Sequence, residues 1–197
     1  MSLSTYSELK AAVASWLHRD DLTTEIVDFI TLAETTMQTR CKLVDFEASA
    51  TVTITSGSGS LPSGFAGMRS CYWDGDSDRA LKYITPLRYD AMRDEATDPV
   101  YYTISGSTIR VSPIATGSLV MTYHARFTPL SDAATSNYIL TNYPDAYLYG
   151  ALAQASVHTM DDANAQKYGA LFSGVIDRIK TDNRDRKYAG PLTVQVA

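Results

Sequence analysis

The sequence predicts an α+β protein in which both ends of the chain form a bundle of four main helices, with an antiparallel β module inserted between them. Two observations predict this fold. At both ends, apolar residues recur at three- and four-residue steps, as in amphipathic helices. In the middle, polar and apolar residues alternate between breaks rich in Gly, Ser and Pro, as in strands and turns. The predicted domains are a helical bundle (1–47 and 128–188), a β module (48–127) and an extended C-terminal tail (189–197).

The two N-terminal helices are predicted near residues 5–17 and 22–42. Thr5 and Glu8 have the spacing of a capping box at the start of the first helix. Asp21 is positioned to cap the second helix, whose apolar residues share one face. These residues are Ile26, Phe29, Ile30, Ala33 and Met37.

The middle of the chain is predicted to form strands, with a short helix and a loop between Thr85 and Pro99. MRSCYWDGDSDRALKYIT has the pattern of two strands around a tight Asp/Gly turn. VYYTISGSTIRVSP has the pattern of a hairpin that turns at Ser105 and Gly106. SLVMTYHARF alternates again. The residues predicted to share one face of this last strand are Leu119, Met121, Tyr123 and Ala125.

Two further helices are predicted near residues 143–159 and 162–187. Pro144 suits the first turn of one, and Asp161 with Asp162 caps the other. The first of them, within NYPDAYLYGALAQASVHTMDD, contains three tyrosines, several alanines and very little charge. We therefore expect a two-sided helix, with one face on its own core and the other on another protein.

The tail YAGPLTVQVA is predicted to be extended. Gly190 and Pro191 end the last helix, and Leu192, Val194 and Val196 alternate with polar residues. Such alternation suits a segment that adds to a sheet edge or groove of another chain. In an isolated molecule the same segment is expected to be a frayed terminus.

The composition argues against several classes of function. The 197 residues are 45% hydrophobic and 20% charged, with a formal net charge of −5. General nucleic-acid binding needs a strong basic excess, which this chain does not have. There is no signal-peptide pattern and no apolar run near the ~20 residues that cross a bilayer. We expect a protein made and kept in a cytoplasm, without a membrane partner.

Tyrosine and cysteine usage adds two expectations. The chain has 13 Tyr against 5 Phe and 2 Trp. Tyr suits surfaces that become buried on assembly, but it is also frequent in half-buried strands, and both interpretations remain open. Cys41 and Cys71 fit neither a zinc spacing nor a disulfide framework, so both are predicted to be free thiols.

No motif in the chain predicts catalysis or cofactor binding. DGDSD at 74–78 is the nearest approach to a calcium loop, but such a loop needs Gly and Glu where this chain has Arg79 and Thr85. A polar hairpin turn explains this segment. The three histidines are scattered, and GSGS at 57–60 lacks the lysine of a phosphate loop. We expect no enzyme activity, no cofactor and no metal.

Basic residues cluster at the end of the last predicted helix, where three aspartates are interleaved with them. One interpretation is a solvated helix end whose charges pair with one another. The other is a rim that faces nucleic acid or an acidic partner. The basic residues are Arg178, Lys180, Arg184, Arg186 and Lys187, and the acidic ones are Asp177, Asp182 and Asp185.

Taken in order, these segments resemble the head-to-tail adaptor (connector, or neck) proteins of tailed bacteriophages. The resemblance covers nearly the whole chain, and it lies in the ordered set of packing patterns rather than in any single phrase. Cys41 departs from the leucine-like residue expected there. The segments are STYSELKAAVASWLHRDDL, IVDFITLAETTMQTR, LPSGFAGMRSCYWDG, ITPLRYDAM, YYTISGSTIRVSP, VMTYHARFTPLSD and NYPDAYLYGALAQASVHTMDD.

The resemblance implies a structural function. Family members form a dodecameric ring beneath the portal protein, close or extend the channel for double-stranded DNA, and offer a platform for a tail or nozzle protein. The chain would then belong to the virion neck and assemble in the host bacterial cytoplasm. The helix rich in Tyr, Ala and Gly would pack inward through Leu148, Leu152 and Ala155. A subunit or portal interface would use Tyr147, Gly150, Ala151, Arg178, Arg184, Arg186, Lys187, Pro191, Leu192, Val194 and Val196.

A second interpretation comes from a different class of function. The β module could be a tail-associated module that binds a carbohydrate or a receptor. Its platform would consist of Tyr101, Tyr102, Trp73 and Tyr123. A flat, exposed aromatic row with nearby carboxylates would favour this interpretation, and a β module packed on the bundle with no concave site would count against it.

Overall fold

The computed structural model describes residues 3–75, 80–92 and 98–187. These residues form an α+β fold with six α-helices and two sheets, which confirms the predicted fold class at that level. The chain divides into two compact units. One, the helical unit, takes its described residues from 3–44 and 127–187. The other, the β unit, takes its described residues from the segment 45–126.

Five of the helices belong to the helical unit, and the short α3 belongs to the β unit. In the helical unit, α5 contacts α1, α2, α4 and α6. It is therefore the central element of that unit. The bounds are α1 Tyr6–Leu17, α2 Thr23–Arg40, α3 Pro86–Ala91, α4 Tyr138–Asn142, α5 Pro144–His158 and α6 Asp162–Lys187.

The helix ends show which capping predictions were right. At α1 the Thr5 hydroxyl accepts from the Glu8 N–H at 3.3 Å, and Oε2 of Glu8 accepts from the Thr5 N–H at 3.1 Å. At α6 the Asp161 carboxylate accepts from the Asn164 N–H at 3.1 Å. The predicted cap by Asp21 is wrong. Its carboxylate is bound by the Arg19 guanidinium, which lowers the pKa of Asp21 to about 2.

Two short elements were not predicted. Val44–Phe46 forms one 3₁₀ turn, and α4 precedes α5 with only Tyr143 between them. The Asn137 side chain caps α4 by accepting from the Leu140 N–H at 3.0 Å. Neither element has enough residues to display a helical repeat, so the sequence pattern did not reveal them.

The β unit contains a three-stranded sheet in the order β1-β7-β3 and a four-stranded sheet in the order β2-β6-β5-β4. Neighbouring strands are antiparallel except β4 and β5, which pair in parallel over two residues. The prediction of a wholly antiparallel module is therefore wrong at this edge. The strands are β1 Glu47–Ile54, β2 Ser58–Ser60, β3 Phe65–Asp74, β4 Lys82–Tyr83, β5 Tyr101–Ser105, β6 Thr108–Ser112 and β7 Gly117–Ala125.

Strand β7 is central to its sheet, and its alternation was predicted correctly. Leu119, Met121 and Tyr123 are buried, and Ala125 packs against the same core. Both sheets contribute to this core. Its buried members are Val52, Ile54, Cys71, Trp73, Leu81, Tyr102, Ile109, Val111, Leu119, Met121 and Tyr123.

The two predicted hairpins differ from the structure in detail. Ser105 pairs with Thr108, so Gly106 and Ser107 form the turn, one residue later than predicted. Gly106 has φ +61°, a left-handed conformation that glycine adopts without strain. The two strands expected around the Asp/Gly turn lie in different sheets, because β4 pairs with β5 rather than with β3. Part of that turn, residues 76–79, lies outside the described residues.

Candidate interaction surfaces

Helix α5 is buried on almost every side, which explains its unusual composition. Leu148, Leu152 and Ala155 are buried, as expected. Tyr147, Gly150 and Ala151 are also buried, so the expectation that they face a neighbouring subunit is corrected. A helix of small residues with very little charge can have partners from its own chain on all sides.

Close packing explains the glycine in α5. A Cβ added to Gly150 would lie 2.8 Å from the Ala33 Cβ in α2 and 3.1 Å from Cε2 of Phe172 in α6. Both distances are shorter than ordinary van der Waals contact. Gly150 thus allows α2 and α6 to approach α5 within one copy of the chain.

A buried polar cluster anchors α5 to α2. The Glu34 carboxylate in α2 is 3% exposed, and its Oε1 accepts from the Tyr147 hydroxyl at 2.8 Å and from the Leu130 N–H at 2.7 Å. The Asn137 amide donates to the Tyr147 oxygen at 2.7 Å. Burial raises the pKa of Glu34, and the two hydrogen bonds to the carboxylate oppose that shift. Sequence analysis missed this cluster, although one signal existed. Glu34 interrupts an otherwise apolar helix face.

The basic end of α6 is partly paired with other elements of the helical unit. The Arg178 guanidinium binds both oxygens of Asp145 in α5, at 2.7 and 3.0 Å. Arg186 donates to the Tyr138 hydroxyl at 2.6 Å. Arg184 lies 3.9 Å from Asp185, and both side chains are mostly exposed. Of the two interpretations of this cluster, pairing within the chain describes Arg178 best. The side chains of Arg184 and Lys187 are exposed to solvent.

One end of the helical unit has a cleft of about 270 Å³, lined by both polar and apolar side chains. It lies between the end of α1 and the start of α6, with Trp16 and Tyr168 among its lining residues. Val157 and Met160 are exposed near the end of α5, and Met160 is 89% exposed. Sequence analysis did not identify this surface, because its members come from three separate segments.

Helix α2 has a surface with little charge. Between Asp28 and Arg40 its only charged residue is the buried Glu34. The Thr31, Thr35 and Thr39 hydroxyls each donate to the backbone carbonyl four residues earlier, at 2.7–3.0 Å. Because these donors are used within the helix, the threonines present mainly methyl groups outward.

The β unit does not display the aromatic platform of the second interpretation. Trp73, Tyr102 and Tyr123 are buried in the core, and only Tyr101 is half-buried. The expectation of an exposed row is therefore corrected. The strand alternation that selects aromatic residues here also turns them inward. A depression of about 420 Å³ lies elsewhere in the unit, lined by Leu61, Pro62, Ser63, Gly64, Phe65, Gly106, Ser107 and Arg126.

The histidines occupy unrelated environments. His18 ends α1 with φ 51°, and His158 packs on the Phe29 ring with centroids 5.3 Å apart. His124 lies opposite Glu47 across β1 and β7, with Nε2 3.9 Å from Glu47 Oε1. Within the described ranges, no group of three or more His, Cys, Asp or Glu side chains could hold a metal ion. Part of the 74–78 turn falls outside those ranges.

Three further predictions concern the cysteines, membrane-spanning helices and the C-terminal tail. Cys41 and Cys71 are free and buried, in agreement with the prediction of unpaired thiols. Among the residues with assigned structure, no helix combines the length and apolarity needed to cross a membrane. The tail residues Pro191, Leu192, Val194 and Val196 lie outside the described residues.

Comparison with known families gives a match over nearly the whole chain. The family model described as SU10 adaptor protein matches residues 4–195, almost the full chain. A search of curated proteins found no match.

Proposed function

Since the chain belongs to the SU10 adaptor protein family, we propose that it is the head-to-tail adaptor of a bacteriophage virion, docked beneath the portal protein. The observation that carries the proposal is the extent of the family match, residues 4–195. A match of that length includes both units, so the proposal concerns the whole chain.

In this proposal the helical unit is the body that docks. Its four long helices act as one bundle with α5 at the centre, and the support for this is the close packing at Gly150 and the Glu34–Tyr147 hydrogen bond. A body of that kind holds its surface in a fixed shape, so binding costs little conformational entropy. Copies of the chain form a ring, which we propose is dodecameric.

The contacts with the portal use the end of α6 and the residues that follow it. Arg184 and Lys187 are exposed and close in sequence to the tail 189–197. Exposed cations increase the association rate with an acidic partner surface and make it salt-dependent. The alternating Leu192, Val194 and Val196 then add to a sheet edge or groove of the portal or the next subunit.

The ring continues or closes the DNA channel and offers its far surface to a tail or nozzle protein. Passage of double-stranded DNA needs no sequence recognition, and a net charge of −5 suits a lining that does not hold the duplex. The protein resides in the virion neck and assembles in the host bacterial cytoplasm. No catalytic step is part of this function.

Electron microscopy of the purified chain mixed with the portal protein of the same phage tests the proposal. We expect added density on one face of the portal ring, with the symmetry of a closed ring. The acidic chain alone should remain monomeric at micromolar concentration. Portal particles that show no added density, even with the adaptor in large excess, would contradict the proposal.

A truncation tests the role of the tail. Deletion of residues 189–197 should leave the circular dichroism spectrum unchanged and weaken portal binding about tenfold or more, because several strand-like contacts are lost. The matched control is Arg184→Ala in the full-length chain, which should weaken binding mainly at low salt. Unchanged portal binding by the truncated chain would exclude the tail from the interface.

A further inference from the structure

Strand β1 has an open edge that lacks the usual protection against strand addition. It pairs with β7 on one side, and within the described ranges no strand pairs with its other side. Every second residue of such an edge directs its backbone N–H and C=O away from the sheet, where an added strand can bond to them. Proteins usually protect long edges with charged residues, proline or bulges. From Ala48 to Ile54, β1 contains none of these.

The other edges of the β unit are protected or short. Strand β3 contains Arg69 and Asp74, and its register against β7 shifts twice. Part of its outer edge is already used, because the Leu81 N–H donates to the Cys71 carbonyl at 2.9 Å. Strand β2 has three residues and β4 has two. Among the described strands, β1 therefore has the edge best suited to accept another strand.

The accessible part of this edge is limited at one end by the turn to β2. Thr55 bridges Ser58 directly after β1. A Cβ added to Gly59 would lie 2.7 Å from the Thr53 carbonyl oxygen, so β2 lies close against that end of β1. The stretch that stays accessible is residues 48–52, five residues in length.

The two faces of this stretch differ in polarity. Ala48 and Ala50 lie on the core side and are only partly buried, and Val52 beside them is buried. Ser49 and Thr51 point to the opposite side and are exposed. A strand that adds here should therefore place apolar residues beside the two alanines and polar residues beside Ser49 and Thr51.

The C-terminal tail has the pattern that this edge requires. Its residues 192–196, LTVQV, are also five in number, carry no charge and alternate between apolar and polar side chains. In an antiparallel register, each apolar residue of the tail lies opposite an apolar residue of β1, and each polar residue lies opposite a polar one. The pairs are Ala48–Val196, Ser49–Gln195, Ala50–Val194, Thr51–Thr193 and Val52–Leu192.

The length of the tail is enough to reach a neighbouring copy. The Asn183 side chain accepts from the Val44 N–H at 2.7 Å, which holds the last turns of α6 within the helical unit. After Lys187 ten residues remain, and ten residues extend at most ~33–36 Å. The segment 188–191 can therefore act as a spacer between α6 of one copy and a sheet edge of another.

We propose that residues 192–196 of one copy add antiparallel to residues 48–52 of the next copy, as a fourth strand of its three-stranded sheet. The rest of that sheet is antiparallel, and antiparallel pairing is the more stable kind per residue. The contact joins two different surfaces, so each copy gives one tail and accepts another. A heterologous contact of this kind closes into a ring when its rotation permits. The inference rests on the proposed function for the presence of a neighbouring copy, and it names the subunit surface that receives the tail.

Disulfide formation between two cysteine variants tests the pairing. Thr51 is exposed, and the native Cys41 and Cys71 are buried. A tagged Thr51→Cys chain and an untagged Thr193→Cys chain are mixed at high concentration, with and without the portal, and are mildly oxidised. Opposed residues of adjacent strands lie about 4.5–5.5 Å apart, within the reach of a disulfide. We expect an intermolecular 51–193 disulfide in at least fivefold higher yield than in the control pair.

The control pair replaces Thr51→Cys with Ser70→Cys. Ser70 is exposed on the same face of the same sheet, but it lies in β3, two strand spacings or about 10 Å from β1. Equal yields for the 51–193 and 70–193 pairs would overturn the pairing. So would a disulfide that forms only within one chain when both cysteines are placed in it. A higher yield for 51–195 than for 51–193 would overturn the antiparallel register.

Proline substitutions test the backbone hydrogen bonds. Successive residues of a strand direct their N–H groups to opposite sides, so either Thr193 or Val194 donates to β1, and proline has no N–H. The readout is the disulfide between Ser49→Cys and Gln195→Cys. We expect Thr193→Pro or Val194→Pro to lower its yield at least fivefold. The control Ala197→Pro, outside the paired stretch, should change the yield less than twofold. No effect from either of the first two prolines would overturn the strand addition.

The outcomes separate this pairing from the adaptor function. If the chain binds the portal but positions 51 and 193 do not link in the complex, the pairing is wrong and the function stands. If 51 and 193 link at high concentration but the portal is not bound, the pairing stands and the function fails.

Discussion

Helix α5 and strand β7 are each the central element of their unit, yet they are stabilised differently. In β7 the buried residues follow strict alternation, and their neighbours are other apolar side chains. In α5 the burial depends on particular atoms, namely the Tyr147 hydroxyl and the space at Gly150. The buried face of β7 thus follows from the alternation of apolar side chains, whereas the packing of α5 also depends on these two particular positions.

The largest expected effect comes from Tyr147→Ala. The substitution leaves a large cavity beside α2 and removes a hydrogen bond to Glu34, so the free energy of unfolding of the helical unit should fall by about 3–5 kcal/mol. Urea unfolding followed by circular dichroism at 222 nm measures it. Tyr149→Ala, at a half-buried neighbouring position, serves as control and should cost less than half as much. A decrease in unfolding free energy below about 1 kcal/mol for Tyr147→Ala would contradict the role of Tyr147 in anchoring α5 to α2.

The same conservative change in both units sharpens the comparison. Tyr147→Phe should cost about 1–3 kcal/mol, because Glu34 and Asn137 lose a buried partner. Tyr123→Phe in β7 should cost less than about 0.5 kcal/mol. Within the described residues the Tyr123 ring stacks on Phe65, and its hydroxyl has no hydrogen-bond partner.

Fluorescence can separate the two units in this measurement. The chain has two tryptophans, Trp16 in the helical unit and Trp73 in the β unit. In a Trp16→Phe background, Trp73 reports the β unit and circular dichroism reports mainly the helices. Equal decreases in unfolding free energy for the Tyr147→Phe and Tyr123→Phe variants would show that the two units do not differ in their dependence on a buried hydroxyl.

Two glycines offer a smaller test with opposite signs. Gly150→Ala should lower stability by about 1–2 kcal/mol, because the added methyl group would crowd Ala33 and Phe172. Gly174→Ala in α6 should raise stability by about 0.5–1 kcal/mol, because its Cβ meets nothing. Thermal unfolding of both variants beside the wild type decides this. Stabilisation by Gly150→Ala would mean that α2 and α6 do not approach α5 as closely as described.

The smallest expected effect is a pH dependence from Glu34. Burial raises its native pKa above the ordinary value of 4.5, so its stabilising contribution is complete below about pH 4.5 and is lost as the pH rises through the native pKa. The difference in unfolding free energy between wild type and Glu34→Gln should therefore shift against the wild type as the pH increases. Carboxylates with lowered pKa values, such as Asp161, contribute in the opposite direction at lower pH and cancel in this difference. A pH-independent difference would show that Glu34 does not titrate as described.

The elements whose sequence pattern continues over several periods could be predicted from the sequence. The apolar spacing in α2 and α6 and the alternation in β7 each extend over several turns or residue pairs, so each pattern is unambiguous. Sequence analysis did not predict α4 or the parallel pairing of β4, because five and two residues are too few to form a pattern. Strand β4 depends on a neighbour farther along the chain, because Lys82 and Tyr83 pair with Tyr101 and Tyr102 of β5.

The interface residues were harder to predict than the fold. Tyr147, Gly150 and Ala151 have the composition of a subunit contact, but the same composition suits a helix buried within its own chain. The α2 face escaped attention because threonine is counted as polar. Only the hydroxyl contacts, such as that from Thr35 to the Thr31 carbonyl, show that these side chains turn methyl groups outward.

Each unit contains one buried thiol, and the reactivity of that thiol reports how often the unit opens. Cys41 follows α2 in the helical unit, and Cys71 lies in β3 of the β unit. Burial raises the pKa of both, that of Cys71 to about 12. Because the thiolate is the reactive form, alkylation of either must wait until its surroundings open. The rate at which each thiol is alkylated thus measures how often its own unit opens, in the free chain and again after assembly into a particle.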